Sequence, residues 1–206
     1  MPIGWILLAF LCISFFSCPL AAQEWQGVAY VVDGDTIILK SGEKVRYIGI
    51  DTPEIAHEGR PAEPFGDAAR AYNRQLTGNK RVRMEIGSES RDRYGRLLAY
   101  LFLEDGTFVN QDLISSGLAV FLYKPPNVEH ADLLLQAQRS AMKGKKGLWG
   151  ALSPTLGTYI GNRHSKRFHL PTCPYGRRTA KANRVFFSHQ WEAYWEGYSP
   201  CRRCLK

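Results

Sequence analysis

Three short segments concentrate polar chemistry where strands would end: Asp33-Gly34-Asp35-Thr36, the run from Arg46 to Asp51-Thr52-Pro53-Glu54, and Asp92-Arg93-Tyr94-Gly95-Arg96. Asp35 and Asp51 would flank neighbouring strands, so their carboxylates can meet at one sheet edge. Two carboxylates, a backbone carbonyl and water make a hard oxygen site. It suits Ca²⁺ better than a transition metal, because it offers no imidazole or thiolate. Arg46 precedes Asp51 on the strand that delivers it, and Arg96 opens the following hairpin. Two guanidiniums facing a cation-bound phosphate can donate paired hydrogen bonds and offset the charge on five-coordinate phosphorus. Glu54, just past Asp51, is placed to orient or deprotonate an attacking water. Taken singly these segments are ordinary: Asp-Gly-Asp is most often a turn, Asp33 a turn or cap residue, and a strand arginine a surface ion-pair partner.

A second constellation lies near the C-terminus. His169-x3-Cys173 is followed, after 27 intervening residues, by Cys201-x2-Cys204. Two short-spaced pairs of imidazole and thiolate donors fit a tetrahedral Zn²⁺ site. Arg202 and Arg203 sit inside the second chelate loop, where they can meet a phosphate. The competing readings are a Cys201–Cys204 disulfide, or a disulfide to Cys173 with one thiol left free. His164 and His189 are alternative fourth ligands; the i, i+4 spacing of His169 and Cys173 favours His169. A segment with few aliphatic residues needs a staple, and a metal supplies one.

The charge pattern separates the two constellations. Residues 23–155 hold 17 Lys/Arg and 17 Asp/Glu, whereas residues 156–206 hold 10 Lys/Arg against Glu192 and Glu196 alone. The whole excess of +8 therefore lies in the tail, which points to a polyanion such as nucleic acid, or to an anionic surface. At 206 residues, 45% hydrophobic and 22% charged, the chain fits one full domain plus a small appendage. Ordinary Gly and Pro usage excludes collagen-like and low-complexity readings, and five cysteines are too sparse for a disulfide-stapled mini-protein. Trp5 to Phe16 is an apolar run of signal-peptide length, with Leu20-Ala21-Ala22 ahead of a cleavage point after Ala22. An uncleaved anchor or lipidation at Cys18 are the alternatives. All three place the rest outside the cytoplasm, in a bacterial periplasm or the medium. Removing the leader leaves Cys173, Cys201 and Cys204, an odd number that cannot fully pair within one chain.

The elements that must position these residues follow from periodicity. Residues 28–50 alternate as a strand meander, 67–76 form an amphipathic helix stopped at Gly78, and 81–86 form a strand. Residues 97–103 and 107–109 read as a hairpin, Asn110 as the cap of a helix through Ser116, and 129–142 as a helix. The apolar stripe of that last helix is Leu133, Leu134, Ala137 and Ala141. In the tail, Ser188 reads as the cap of a helix over 189–196 that ends at Gly197. About five short strands with helices predict an α+β, mainly β, architecture: a five-stranded OB-type barrel with helices packed on it, plus a small zinc-stapled C-terminal module. The expected division is a signal peptide or anchor over 1–22, the barrel over 23–152, a linker over 153–160 and the basic module over 161–206.

The strings VVDGDTI, VRYIGIDTPE, DRYGRLLAYLF, GLAVFLYKP and a final helix ending in GLW resemble the thermonuclease (staphylococcal-nuclease-like) family over about residues 26–150, in the family's order and near its spacing. The resemblance implies an OB barrel with three helices and Ca²⁺-dependent cleavage of DNA and RNA that leaves 3′-phosphates. It places the metal carboxylates at Asp35 and Asp51, a further ligand at the Thr52 carbonyl, the phosphate-binding arginines at Arg46 and Arg96, and the water-activating glutamate at Glu54. The family's Lys-Tyr phosphate pair is here Arg93-Tyr94. Tyr123 matches one of the family's two base-site tyrosines, and stacking on it favours unpaired bases. Phe121 stands for the other, and the stretch before Lys124-Pro125 is shorter than in the family. The alternative is an inert nucleic-acid-binding domain of the same fold; such domains usually lose the metal aspartates or the arginines, which this chain keeps.

The tail strings FHLPTCPYGRR and NRVFFSHQWEAYWEGYSPCRRC resemble the zinc-binding module of Ada-type alkylation-repair proteins over about residues 163–205. There four cysteines bind zinc, and the first accepts a methyl group. Here His169 stands at that position, and imidazole is not that acceptor. What the resemblance implies is a structural zinc and contact with the nucleic-acid backbone. The expected partners are DNA, RNA or both, and a membrane only if the leader is uncleaved or lipidated.

Overall fold

Alternation along the first strands decides which side chains enter the core. In the computed structural model, which describes residues 24–57, 59–152 and 156–205, β1 (Gln26–Val31), β2 (Thr36–Leu39) and β3 (Lys44–Tyr47) bury Val28, Val31, Ile37, Leu39, Val45 and Tyr47. The expected leader over 1–22 lies outside the described residues. A two-residue strand, β4 (Ile50–Asp51), follows, then helix α1 (Gly66–Thr77), β5 (Arg81–Arg91), β6 (Leu97–Phe102), α2 (Val109–Ser115), β7 (Val120–Phe121), α3 (Ala131–Lys143) and α4 (Leu148–Ala151). The strands close into a barrel in the order β1-β2-β3-β6-β5, sealed where Gln26 of β1 pairs with Val82 of β5. The β3–β6 pair is parallel and the other barrel pairs are antiparallel. Closure leaves no free barrel edge. The expected five-stranded OB-type barrel is thus the observed one.

Within the barrel domain, four local expectations differ from the structure. Strand β5 runs on to Arg91, well past Ile86, so it carries the chain to the third polar segment. The hairpin after β6 is a single bridge, Phe102 to Phe108, because Val109 already starts α2. Asn110 does not cap α2. It is fully buried; its Oδ1 accepts from the Leu101 N–H (3.0 Å) and its Nδ2 donates to the Ile48 carbonyl (2.8 Å). In α3, Leu133 is exposed and Gln138 is buried among Leu134, Ala137, Ala141 and Met142, so the inward stripe is rotated from the expected one.

The remaining chain forms β8 (Leu156–Asn162), β9 (Arg167–His169), α5 (Pro174–Arg177), a 3₁₀ turn (Lys181–Asn183), β10 (Arg184–His189), α6 (Gln190–Trp195) and β11 (Ser199–Pro200). Its sheet has the order β10-β8-β9-β11, with β11 parallel to β9. Strand β8 begins at Leu156, so the expected linker over 153–160 is shorter than that. The side chain capping α6 is that of His189, which accepts from the Glu192 N–H, while Ser188 bonds the Glu192 carboxylate. The module is no loose appendage. Its Tyr159, Phe168, Phe187, Tyr194 and Tyr198 form one apolar cluster with Ala141, Met142 and Trp149 of the barrel helices. Trp149 meets Tyr194 edge-on at 5.0 Å and Trp191 at 5.9 Å. Gln138 joins the two parts from inside: its Oε1 accepts from the Phe121 N–H and its Nε2 donates to the Tyr194 carbonyl, both at 2.7 Å. Among the described residues, no helix is long and apolar enough to cross a membrane.

Candidate active site and metal centre

The β1–β2 turn and the β3–β4 turn bring the first two polar segments together. Asp33 closes its turn by accepting the Asp35 N–H at 3.0 Å, the turn role foreseen for it. Burial, then the neighbouring Asp35 carboxylate, pushes the Asp33 carboxyl up to about 6. Gly34 has no Cβ because one would lie 2.7 Å from Thr52 Oγ1, and this close approach seats the turn against the second segment. Gly49, at φ +78, lets the chain leave β3 and pair β4 with β7, which holds Asp51 opposite Val120.

Asp35 and Asp51 then share one arginine. Arg46 Nη2 lies 2.9 Å from Asp35 Oδ2 and 3.0 Å from Asp51 Oδ1, while its Nη1 donates to the Tyr47 and Ile50 carbonyls. Asp35 Oδ2 also accepts from the Thr52 N–H (2.9 Å) and hydroxyl (3.0 Å). The two carboxylates therefore converge as their strand positions predicted. With the Thr52 carbonyl they form an all-oxygen donor set already satisfied by a cation's charge, which fits Ca²⁺.

Arg96 stands across the same cavity. Asp92 Oδ2 accepts from its Nε and Nη2, each at 2.7 Å, and Asp92 Oδ1 accepts the Arg96 and Tyr94 N–H groups. Asp92 therefore aims the guanidinium. Burial acts against the Asp92 charge, but the Arg96 side chain and the two N–H groups outweigh it and hold the carboxyl below its usual value. The cavity, about 1050 Å³, is lined by Asp35, Arg46, Asp51, Glu54, Arg93, Tyr94 and Arg96 among others. Arg93 and Tyr94 are exposed on its wall, the guanidinium 4.8 Å from the ring centre. Tyr123 packs partly buried against the barrel core, between Leu122 and Lys124 of the cavity lining.

Two cavity groups come from the C-terminal module, and Arg167 is one that sequence reasoning missed. The other is Arg202. Its Nε and Nη2 fork onto Asp51 at 3.1 and 2.9 Å, Nη2 reaches the Thr52 carbonyl at 3.3 Å, and Nη1 pairs with Glu54. Burial opposes the Arg202 charge, but Asp51 and then Glu54 hold its pKa above the ordinary arginine value. Arg203 points elsewhere, onto the Tyr175 hydroxyl at 3.2 Å.

His169, Cys173, Cys201 and Cys204 bring their ligand atoms within 4.8 Å of one another. Cys173 Sγ lies 3.6 Å from His169 Nδ1, and all three cysteines are free thiols, with no disulfide. Tetrahedral bonds of about 2.0–2.3 Å require ligand separations of roughly 3.5–3.8 Å, so the cluster fits a Zn²⁺-sized ion. Burial, then the nearby Arg167, lowers the His169 pKa and favours the neutral imidazole a metal needs. Cys204, by contrast, is pushed up to about 12, first by burial and then by the neighbouring thiols. His164 is exposed and His189 is spent on its cap, which leaves His169 as the imidazole of the cluster.

Comparison with known proteins divides the chain in the same way. The model of the staphylococcal nuclease homologue family matches residues 44–151, and that of the metal binding domain of Ada matches residues 157–206. The chain is 44% identical over 125 residues to a thermonuclease of Staphylococcus intermedius, covering 59% of this chain and 74% of the relative. It is 39% identical over 132 residues to a thermonuclease of Staphylococcus hyicus, covering 63% and 78%. Its match to endonuclease YhcR of Bacillus subtilis, at 31% identity, spans 87% of this chain but 17% of that protein, and so extends beyond the barrel.

Proposed function

Because the chain belongs to the staphylococcal nuclease family, and is on that ground a hydrolase of nucleic-acid phosphodiester bonds, we propose that it is an exported, Ca²⁺-dependent nuclease that cleaves DNA and RNA to 3′-phosphate products. The observation that carries the calcium reading is the convergence of Asp35 and Asp51 on one guanidinium nitrogen, at 2.9 and 3.0 Å, in a cavity that also holds Arg96 and Glu54. Asp35, Asp51 and the Thr52 carbonyl would hold Ca²⁺, which supplies Lewis-acid charge to a phosphate oxygen. Glu54 orients a water and takes its proton as the water oxygen bonds to phosphorus. The P–O5′ bond breaks in line and the departing O5′ takes a proton from solvent water, leaving a 3′-phosphate and a 5′-hydroxyl. Arg46 and Arg96 donate to the phosphate oxygens, where charge grows in the transition state. Arg93, Tyr94 and Tyr123 receive the rest of the strand.

Zn²⁺ on His169, Cys173, Cys201 and Cys204 staples the C-terminal module, whose basic surface, Arg203 included, adds salt-sensitive affinity for the nucleic-acid backbone. Export is supported by the apolar run from Trp5 to Phe16, and periplasm or medium is the expected destination. The test is cleavage of single-stranded DNA by the chain from residue 23 on, with Ca²⁺ or with EGTA, beside Arg96→Ala. Cleavage is expected to require Ca²⁺ and to fall at least about a hundredfold in the variant. Binding without cleavage under any divalent ion would replace this reading with an inert binding domain, and cleavage persisting in both EGTA and Arg96→Ala would sink it.

A further inference from the structure

Arg202 engages two of the three groups expected to hold the catalytic cation, while Arg46 bridges the two carboxylates. The Arg202 guanidinium takes both Asp51 oxygens, the Thr52 carbonyl and Glu54, so two of the expected metal donors and the water-handling carboxylate are engaged by one side chain. Its turn is fixed from the other module. The Cys201 N–H donates to the Phe168 carbonyl at 2.9 Å, the Cys204 N–H returns to the Cys201 carbonyl at 3.1 Å, and Arg167 Nη1 donates to the Pro200 carbonyl at 3.0 Å. Cys201 and Cys204, which bracket Arg202, also belong to the four-ligand cluster. The cluster thus presents the guanidinium from a rigid knuckle to carboxylates some 150 residues earlier in the chain.

We propose that Arg202 is a further active-site residue: a tethered cation that competes with Ca²⁺ for Asp51 and the Thr52 carbonyl and so sets the metal dependence of the reaction. Asp51 Oδ1 already accepts from Arg46 Nη2, so Arg202 takes its second lone pair, and a guanidinium and a calcium ion cannot use that lone pair at once. Calcium binding therefore has to displace Arg202, and the apparent affinity falls by the fraction of molecules in which the site is free. The side chain is 45% exposed, so its ion pairs are screened by water and the latch is weak enough for a divalent ion to open. Once displaced, Arg202 remains in the cavity on its knuckle, beside the position of the substrate phosphate. This inference rests on the reading of Asp51 and Thr52 as metal donors given above.

The test is calorimetric titration of Ca²⁺ into the zinc-loaded protein without nucleic acid, comparing wild type, Arg202→Ala and Arg203→Ala. Arg203 lies in the same loop and carries the same charge, but it bonds Tyr175. Arg202→Ala is expected to tighten the calcium dissociation constant about tenfold, as for a latch closed in nine molecules of ten. Arg203→Ala should keep the wild-type value, and unchanged zinc content with a single cooperative melting transition would show both variants folded. Equal affinities in all three proteins would overturn the latch, as would equal tightening in the two variants, which would mark a diffuse charge effect. Failure of every protein to bind calcium would overturn the metal site itself.

Discussion

Residue types and spacing expose the ligands of chemistry more readily than the groups that aim them. That Asp35, Asp51, Arg46, Arg96 and Glu54 meet at one cavity is legible because carboxylates and arginines cluster at strand ends. Asp92 reads as one more turn residue, yet it grips Arg96 through three contacts, to Nε, Nη2 and the backbone N–H, and accepts the Tyr94 N–H besides. Its role follows from three-dimensional closure of the turn, which spacing does not reveal. Asp92→Asn should therefore lower kcat through a misplaced Arg96 and destabilise the fold by about 2 kcal/mol at neutral pH. The Asp92 carboxyl lies below its ordinary value of 3.8 in the folded chain. Its stabilisation is then fully present above 3.8 and lost as pH falls through the folded value. Melting temperatures of wild type and Asp92→Asn should stay separated by a constant gap from pH 5 to 7, and the gap should close below 3.8. A gap independent of pH would exclude the charge as its origin.

Elements were legible where periodicity is strong, as in the first three strands and α1, and less so where a polar side chain turns inward. Asn110 has the composition of a cap and Gln138 that of a solvent-facing helix position. Both instead serve backbone groups of other elements, which no local pattern encodes. Burying an amide is tolerated because each of its halves replaces a lost hydrogen bond with water. Gln138→Leu keeps most of the volume and leaves the Phe121 N–H and the Tyr194 carbonyl unpaired. A loss of about 3 kcal/mol is expected, read as a lower urea midpoint at unchanged m-value. A neutral result would mean that water reaches both groups.

At the scale of the molecule, the charge boundary near residue 155 was visible in the sequence, but the packing across it was not. Aromatic residues in a basic tail read equally well as nucleic-acid contacts or as core. Here Phe168, Tyr194 and Tyr198 are core, shared with Trp149. Removing residues 156–206 should flatten the salt dependence of nucleic-acid binding, since 10 of the Lys/Arg residues go with it. It should also lower the melting temperature of the barrel by several degrees, because the Trp149 face and Gln138 lose their cover. A truncated barrel with the melting temperature of the whole chain would show that the shared cluster contributes nothing. The shared cluster has a bearing on recombination. The barrel and the tail look like interchangeable cassettes when the chain is read as a line, with a seam at 153–155. Folded, the two parts share an aromatic interior and jointly line the cavity of the candidate site. A barrel transplanted to a new partner would carry an uncovered greasy face and would leave Arg167 and Arg202 behind. The two parts can therefore be exchanged only as a matched pair.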